Sequence, residues 1–111
     1  MKTIAVDIDG ILCKEDNEYN FIEHTFKEHK IWYNNKKPIY DNIDYVNSLY
    51  NQGYIIKLFT ARDEFFRPET EKWMSEYGVL YNVLVMNKIF YDVFIDDKAV
   101  NHINDLEEVL K

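Results

Sequence analysis

Asp7 and Asp9 stand one residue apart, ahead of Gly10 and directly behind the β-branched apolar run TIAV at 3–6. Such a pair can divide the work of phosphoryl transfer. One aspartate attacks phosphorus to give an aspartyl-phosphate, while a protonated neighbour donates to the leaving oxygen and later activates water. Other polar groups occur where apolar runs stop: Thr60 after YIIKLF (54–59), Lys88 after VLYNVLVM (79–86), and the adjacent Asp96 and Asp97 after VFI (93–95). If these runs are strands of one parallel sheet, the polar groups share its carboxyl edge, where open α/β sheets bind ligands at the reversal of strand order. A central first strand flanked by the second and fourth would bring Asp7, Asp9, Thr60 and the Asp96–Asp97 pair into one crevice. Four carboxylates there repel one another unless a cation sits among them, and an all-oxygen set without His or Cys suits Mg²⁺. Mg²⁺ so held takes a phosphate oxygen as a further ligand, which points to a phosphorylated substrate. Lys88 supplies a second positive charge, and Thr60 a hydroxyl that can hold a phosphoryl oxygen.

The elements that must position these groups are legible from pattern. The run at 3–6 reads as a strand buried on both faces. A weakly amphipathic segment with Phe21, Ile22 and Phe26 reads as a short helix or flap. Residues 41–52 place Ile43, Val46, Leu49 and Tyr50 at helical spacing, with Asp41 or Asn42 as a cap and Gly53 just past the end. The second strand, at 54–59, follows. Pro68 suits the first turn of a helix that carries Trp73, Met74 and Tyr77 and stops at Gly78. Strands at 79–86 and 93–95 come next, then a last helix capped by Asn104 and carrying Leu106, Val109 and Leu110. The βαβ units require parallel pairing with right-handed crossovers. The expected fold is α/β: a doubly wound parallel sheet of about four to five strands with helices on both faces. It forms a single domain over 1–111, with a flap or helical insert at 14–38.

Composition bounds the rest. The chain has 111 residues, with 13 Lys and Arg against 20 Asp and Glu, a net charge of -7, and 47% hydrophobic residues. That apolar fraction is enough to offset the ordering entropy of one core. No apolar run approaches the roughly 20 residues that span a bilayer, and the acidic balance disfavours nucleic acid or an anionic membrane as partner. A single cysteine, Cys13, and the absence of a signal-peptide pattern make a cytoplasmic setting the expectation. With no His beside it, Cys13 reads as a buried small hydrophobe. His24, His29 and His102 show no ligand spacing. Lys30, Lys36 and Lys37, interleaved with Trp32 and Tyr33, are too few to make a nucleic-acid patch against that net charge.

The motifs VDIDG (6–10), LFTAR (58–62), Lys88 and FIDD (94–97) together resemble the four motifs of the haloacid dehalogenase (HAD) superfamily of phosphohydrolases, in order and over nearly the whole chain. The resemblance implies a HAD-like Rossmannoid fold, with Asp7 as nucleophile and Asp9 as general acid/base whose backbone carbonyl also binds metal. It further implies Thr60 and Lys88 as phosphoryl-binding and charge-neutralising groups, Ala61 and Arg62 at the substrate, and Asp7, Asp9, Asp96 and Asp97 around Mg²⁺. A narrower likeness, carried by DIDGILC, LYNQGYIIKLFTAR, Lys88, Asp92 and IDDKA (95–99), is to small HAD phosphatases encoded with capsular-polysaccharide biosynthesis. It implies a sugar phosphate or related polysaccharide precursor as substrate. Two positions depart from that pattern: Ile11 replaces the usual threonine, and Lys88-Ile89 replaces Lys-Pro. The segment from Cys13 to Pro38 holds only about one helix, so no cap domain is expected. The site must then be closed by a bulky substrate, by a flap at 21–33 in which Ile31, Trp32 and Tyr33 are candidates, or by a neighbouring subunit in a homo-oligomer.

Three other readings compete. A phosphoacceptor receiver domain would carry its acid pair after the first strand and its acceptor after a middle one, the reverse of what stands here. A small 5′-nucleotidase of the same fold, and a catalytically weak binding or scaffold protein made plausible by Ile11, are separated by assay. Locally, Thr60 alone could cap the loop that follows it, and Arg62 and Asp63 could form a structural pair.

Overall fold

Strand alternation in burial sets the architecture of the computed structural model, which describes residues 2–16, 18–89, 91–100 and 102–110. In β1 (Thr3–Asp7) Ile4 and Val6 are buried, in β2 (Ile55–Phe59) Ile56 and Leu58, and in β3 (Val83–Val85) Leu84. The three strands pair in parallel in the order β1-β2-β3, with Val6 opposite Leu58 and Leu58 opposite Leu84, so the buried residues form one row across the sheet. α1 (Phe26–Asn34), α2 (Tyr40–Asn51), α3 (Arg67–Glu76) and the short α4 (Leu106–Leu110) complete the α/β fold.

Local signals mark some of the helix ends, but the cap expected of Asp41 or Asn42 is not made, since α2 starts at Tyr40 behind Ile39 with no side-chain cap, and Asn104 lies within the 3₁₀ turn Ile103–Asp105. Thr25 and Glu28 form a reciprocal capping box at α1. Gly53 follows α2 at φ +98°, and Gly78 follows α3 at φ +66°, both in the left-handed region that favours glycine. Ile43, Val46 and Leu49 of α2, with Trp73 and Met74 of α3, pack into the core against the buried sheet residues. Trp73 is 1% exposed, and its indole N–H donates to the Lys36 carbonyl at 2.9 Å, so it joins α3 to the end of the insert. Trp73→Ala should lower unfolding free energy by about 3–5 kcal/mol through loss of burial and a cavity. Urea denaturation checks this, and a loss under about 1 kcal/mol would mean that the site collapses around the truncation.

The structure differs from the expected fold in five respects. The described sheet has three strands rather than four or five, and β2, not β1, is central. β1 is buried on one face only: Thr3 and Ala5 are exposed, as are Lys57, Val83 and Val85 along the same side of the sheet. The run 93–95 does not form a strand, and Val93, Phe94 and Ile95 are 79%, 51% and 94% exposed. Three residues offer few ladder bonds. Pairing them with β1 sets Asp96 and Asp97 beside Asp7 and Asp9, and that like-charge repulsion opposes so short a strand. The third strand is also shorter than the apolar run at 79–86. Residues 79–82 still turn out of α3, with Leu80 N–H held by Asn47 Oδ1 at 2.8 Å and Asn82 bonded to Ile56 through both its N–H and its side chain.

The insert at 14–38, of which Asn17 lies outside the described residues, contains a single 3₁₀ turn (Phe21–Glu23) and α1. Its ends are stitched to each other: Lys14 N–H donates to Lys37 O at 2.8 Å and Ile39 N–H to Leu12 O at 2.9 Å. No helix among the described residues is long and apolar enough to cross a membrane.

Candidate active site

β1 ends at Asp7, and the chain turns at once. Ile8 O accepts the N–H groups of Ile11, Leu12 and Cys13, and Gly10 sits at φ +89° with its N–H on Cys13 O at 2.8 Å. A side chain at residue 10 would be strained there and would meet Glu15 Oε2 at 3.1 Å. Gly10→Ala should therefore destabilise the fold by about 1–2 kcal/mol, the cost of left-handed backbone in a residue with a Cβ. A melting curve superimposable on wild type would show that the turn readjusts without cost.

This turn presents Asp7 and Asp9 to a cavity of about 740 Å³. The loops after β2 and β3 approach from the side and are laced together: Thr60 N–H donates to Val85 O, Lys88 N–H to Thr60 O, and Asn87 N–H to Arg62 O. Lys88 Nζ thereby lies 3.7 Å from Asp7 Oδ2, hydrogen-bonds Tyr91 Oη at 3.0 Å and covers the Phe59 ring. Asp7 Oδ1 accepts the Ile8 N–H at 2.8 Å, so among the described residues Oδ2, beside Lys88, is the oxygen without a hydrogen-bond donor. Burial raises the Asp7 carboxyl above its ordinary value; Lys88 and the Ile8 N–H oppose this, while Asp9 and Glu15 add to it.

Asp9 is held differently. Arg62 donates to both of its oxygens, Nη2 to Oδ1 at 2.9 Å and Nε to Oδ2 at 3.1 Å, and Lys36 Nζ adds a contact to Oδ1 at 3.3 Å. Arg62 is itself fixed by Thr70 Oγ1 at 3.1 Å and lies over the Tyr33 ring. Burial by itself would raise the Asp9 carboxyl, but the Arg62 hydrogen bonds and charge, joined by Lys36, outweigh it and hold the group below the usual carboxylate range. The neighbouring Cys13 thiol is pushed up to about 12 by burial and by Asp9, so it is an inert neutral packing group, as expected from its lack of a His partner.

Asp7, Asp9, Ala61, Arg62 and Lys88 all line the cavity. Thr60 does not: it is 0% exposed, and its hydroxyl accepts the Arg62 N–H at 3.1 Å. In this arrangement Thr60 shapes the loop, the local role weighed for it above, and offers no hydroxyl to the cavity. Arg62 pairs with Asp9 and not with Asp63, whose carboxylate accepts the Phe65 N–H. Asp96 and Asp97 are exposed and lie outside the cavity lining; Asp96 Oδ1 accepts the Lys98 N–H at 2.7 Å. The insert supplies a wall through Phe21, Trp32 and Tyr33, with Tyr19 stacked on Trp32 at 4.1 Å. Sequence pattern missed Lys36, which is 5% exposed and packs on Trp32 at 4.2 Å. It also missed Glu15 and Asp16 at the cavity. Lys30 pairs with Glu69 and Lys36 is turned inward, while Lys37 is exposed.

Five carboxylates, of Asp7, Asp9, Glu15, Asp16 and Asp63, face three cations, of Lys36, Arg62 and Lys88, around the cavity. That excess of hard negative oxygen fits a divalent cation such as Mg²⁺. Among the described residues no three carboxylate, His or Cys side chains are gathered closely enough to enclose one, so such an ion would keep waters.

No protein-family model and no curated protein matches the chain. Its fold has solved counterparts. An MCSG target from Vibrio cholerae superposes with a TM-score of 0.73 at 21% identity, over 98% of this chain and 96% of that one. A chain of the Pnkp1/Rnl/Hen1 complex superposes with a TM-score of 0.60 at 20% identity, over 99% of this chain and 33% of that one. A second structure of that RNA repair complex gives 0.61 at 19% identity, over 98% of this chain and 30% of that one. The chain thus spans about a third of the Pnkp1/Rnl/Hen1 chains and nearly all of the Vibrio protein, and at these identities the likeness is one of fold.

Proposed function

We propose that the chain is a Mg²⁺-dependent phosphomonoesterase of the HAD type, working through an aspartyl-phosphate on Asp7. The observation that carries the reading is the Asp7–Lys88 pair at the carboxyl ends of β1 and β3. It sets a carboxylate oxygen that has no hydrogen-bond donor among the described residues 3.7 Å from an ammonium group, in the lining of an open cavity.

Asp7 Oδ2 attacks phosphorus while Lys88 offsets charge on the phosphoryl oxygens. The bond to the leaving oxygen breaks, and that oxygen takes a proton from Asp9. Water then attacks the aspartyl-phosphate as Asp9 takes the proton back, and inorganic phosphate and free Asp7 result. Arg62 and Lys36 favour the carboxylate form of Asp9, which suits water activation. A phosphate dianion at Asp7 acts in the opposite direction and raises the proton affinity of Asp9 for the first step. Asp7 through its carboxylate and Asp9 through its backbone carbonyl would hold Mg²⁺, which when bound offsets negative charge on the phosphoryl oxygens. Asp96 or Asp97 would join them if 93–95 pairs with the open edge of β1 as a fourth strand. That pairing is the finer fold we propose for the Mg²⁺-bound chain, in which the cation would offset the carboxylate repulsion that otherwise opposes it, and it would cover three apolar residues that are exposed here.

The preferred substrate is a sugar phosphate or related small phosphomonoester, taken up in the cytoplasm. The RNA-repair neighbour raises nucleic acid as an alternative, but the net charge of -7 and the carboxylates around the cavity repel a polyanion. Phosphate release from sugar phosphates, nucleotides and an aryl phosphate, with Mg²⁺ or with a chelator, tests the reading. Release should require Mg²⁺, return when it is restored, and be faster for sugar phosphates than for nucleotides. No release from any ester, alongside thermal stabilisation by Mg²⁺ and a phosphate mimic, would instead favour a binding protein.

A further inference from the structure

Lys36 lies far from the strand ends in sequence, yet it is buried against one of the two central carboxylates. Its Nζ reaches Asp9 Oδ1 at 3.3 Å and donates to Lys14 O at 3.2 Å, and it packs on the Trp32 ring at 4.2 Å. Its own carbonyl takes the Trp73 indole N–H, so backbone and side chain are both anchored. A buried ammonium group needs a partner, and here the partner is shared with Arg62.

The consequence for Asp9 is asymmetric. Among the described residues, Oδ1 receives Arg62 Nη2 and Lys36 Nζ and lies 3.5 Å from Cys13 Sγ, whereas Oδ2 receives Arg62 Nε only. A carboxylate oxygen has about two lone-pair sites, so Oδ1 is fully used and Oδ2 keeps one. Arg62 alone, bonded to both oxygens, would still allow the carboxylate to rock in its plane. The second cation, set on one oxygen from the insert side, removes that freedom.

We infer that Lys36 is a positioning residue for the proposed phosphoryl transfer: with Arg62 it fixes the Asp9 carboxylate so that Oδ2 is the oxygen that gives up and regains the proton. The inference rests on the phosphatase reading and deepens it. It also makes the insert part of the catalytic apparatus, because the residue that orients Asp9 stands at the base of the insert, where Lys14 and Lys37 are joined.

Lys36→Met tests this. It keeps an apolar stem over Trp32, and it leaves Asp9 neutralised by Arg62, so the fold is retained. Misplacing a reacting group by about 1 Å costs on the order of 10²-fold. The variant should therefore lose roughly tenfold to a hundredfold in kcat on the phosphate of a primary alcohol, with KM within about threefold of wild type. On p-nitrophenyl phosphate, whose leaving group needs no proton, the first-turnover burst of p-nitrophenolate should slow by under about threefold, while later turnovers, which still need Asp9 to activate water, slow as on the alkyl ester. Asp9→Asn with Lys36→Met should lose no more kcat than Asp9→Asn alone, because Lys36 acts only through Asp9. A p-nitrophenolate burst slowed as much as turnover of the alkyl ester, a raised KM with kcat intact, or additive losses in the double variant would overturn the inference and leave the phosphatase reading standing. A wild-type chain that hydrolyses neither ester would overturn the phosphatase reading, and this inference with it.

Discussion

Asp7→Asn should reduce phosphate release by at least about 10⁴-fold, the scale on which loss of a covalent nucleophile acts. The substitution is conservative in shape. Asn Oδ1 can still accept the Ile8 N–H that Asp7 Oδ1 accepts at 2.8 Å, and Lys88 keeps its hydrogen bond to Tyr91. What disappears is the anionic oxygen beside Lys88. Stability should move the other way from activity. Burial raises the Asp7 carboxyl above its value in the unfolded chain, so its ionisation costs folding free energy as pH rises through that range. Asn carries no such cost, and the variant should melt at or above the wild-type temperature at neutral pH, with the difference shrinking on acidification as Asp7 takes up its proton. Phosphate release and melting temperature on the same preparation check both halves. Near-normal turnover would remove Asp7 as nucleophile. A lower melting temperature at neutral pH would mean that its pairing with Lys88 outweighs its burial.

The parts of this site that were legible in sequence are those fixed by the ends of regular elements. Asp7 ends β1, and Asp9, Arg62 and Lys88 follow β1, β2 and β3 within three residues, so parallel pairing of the strands gathers them at one edge. The pattern places Thr60 on the loop after β2, but the direction of its hydroxyl depends on a two-residue turn to the Arg62 N–H that no pattern of apolar residues encodes. Lys36 was invisible for a stronger reason. Its contact with Asp9 requires the insert to close on itself through Lys14 and Lys37, a tertiary event with no local signature. The run at 93–95 shows the opposite limit. Its apolar, β-branched character reads as a strand, yet three residues followed by two carboxylates gain little from pairing beside Asp7 and Asp9, and the segment lies exposed. The expected burial of both faces of β1 fails for a related reason: an apolar run of four residues cannot say whether anything covers its second face.

Asp9→Asn should lower kcat by about 10²–10⁴-fold, the range for losing a general acid–base group, and should also cost stability, which makes it a less clean knock-out than Asp7→Asn. The side chains of Arg62 and Lys36 are 2% and 4% exposed, and the Asp9 carboxylate lies between them. Removing its charge leaves two buried cations facing each other, and breaking a buried ion pair by deleting one partner costs about 3–5 kcal/mol. For a domain whose whole stability is about 5–15 kcal/mol, that is a large share. The dependence on pH has a definite sign. The Asp9 carboxyl is depressed in the folded chain, so its contribution is complete above the ordinary value of 3.8 and is lost as pH falls below it through the folded value. The gap in urea midpoint between wild type and Asp9→Asn should therefore be wide at neutral pH and narrow in acid. Adding Lys36→Met to Asp9→Asn removes one of the two unneutralised cations. It should recover at least about 1 kcal/mol of stability, the size of coupling between residues in contact, while kcat stays at the level of Asp9→Asn. An Asp9→Asn chain as stable as wild type at neutral pH would show that the Arg62 and Lys36 charges are solvated without Asp9. Recovery of turnover together with stability in the double variant would show that the loss in Asp9→Asn came from unfolding and not from chemistry.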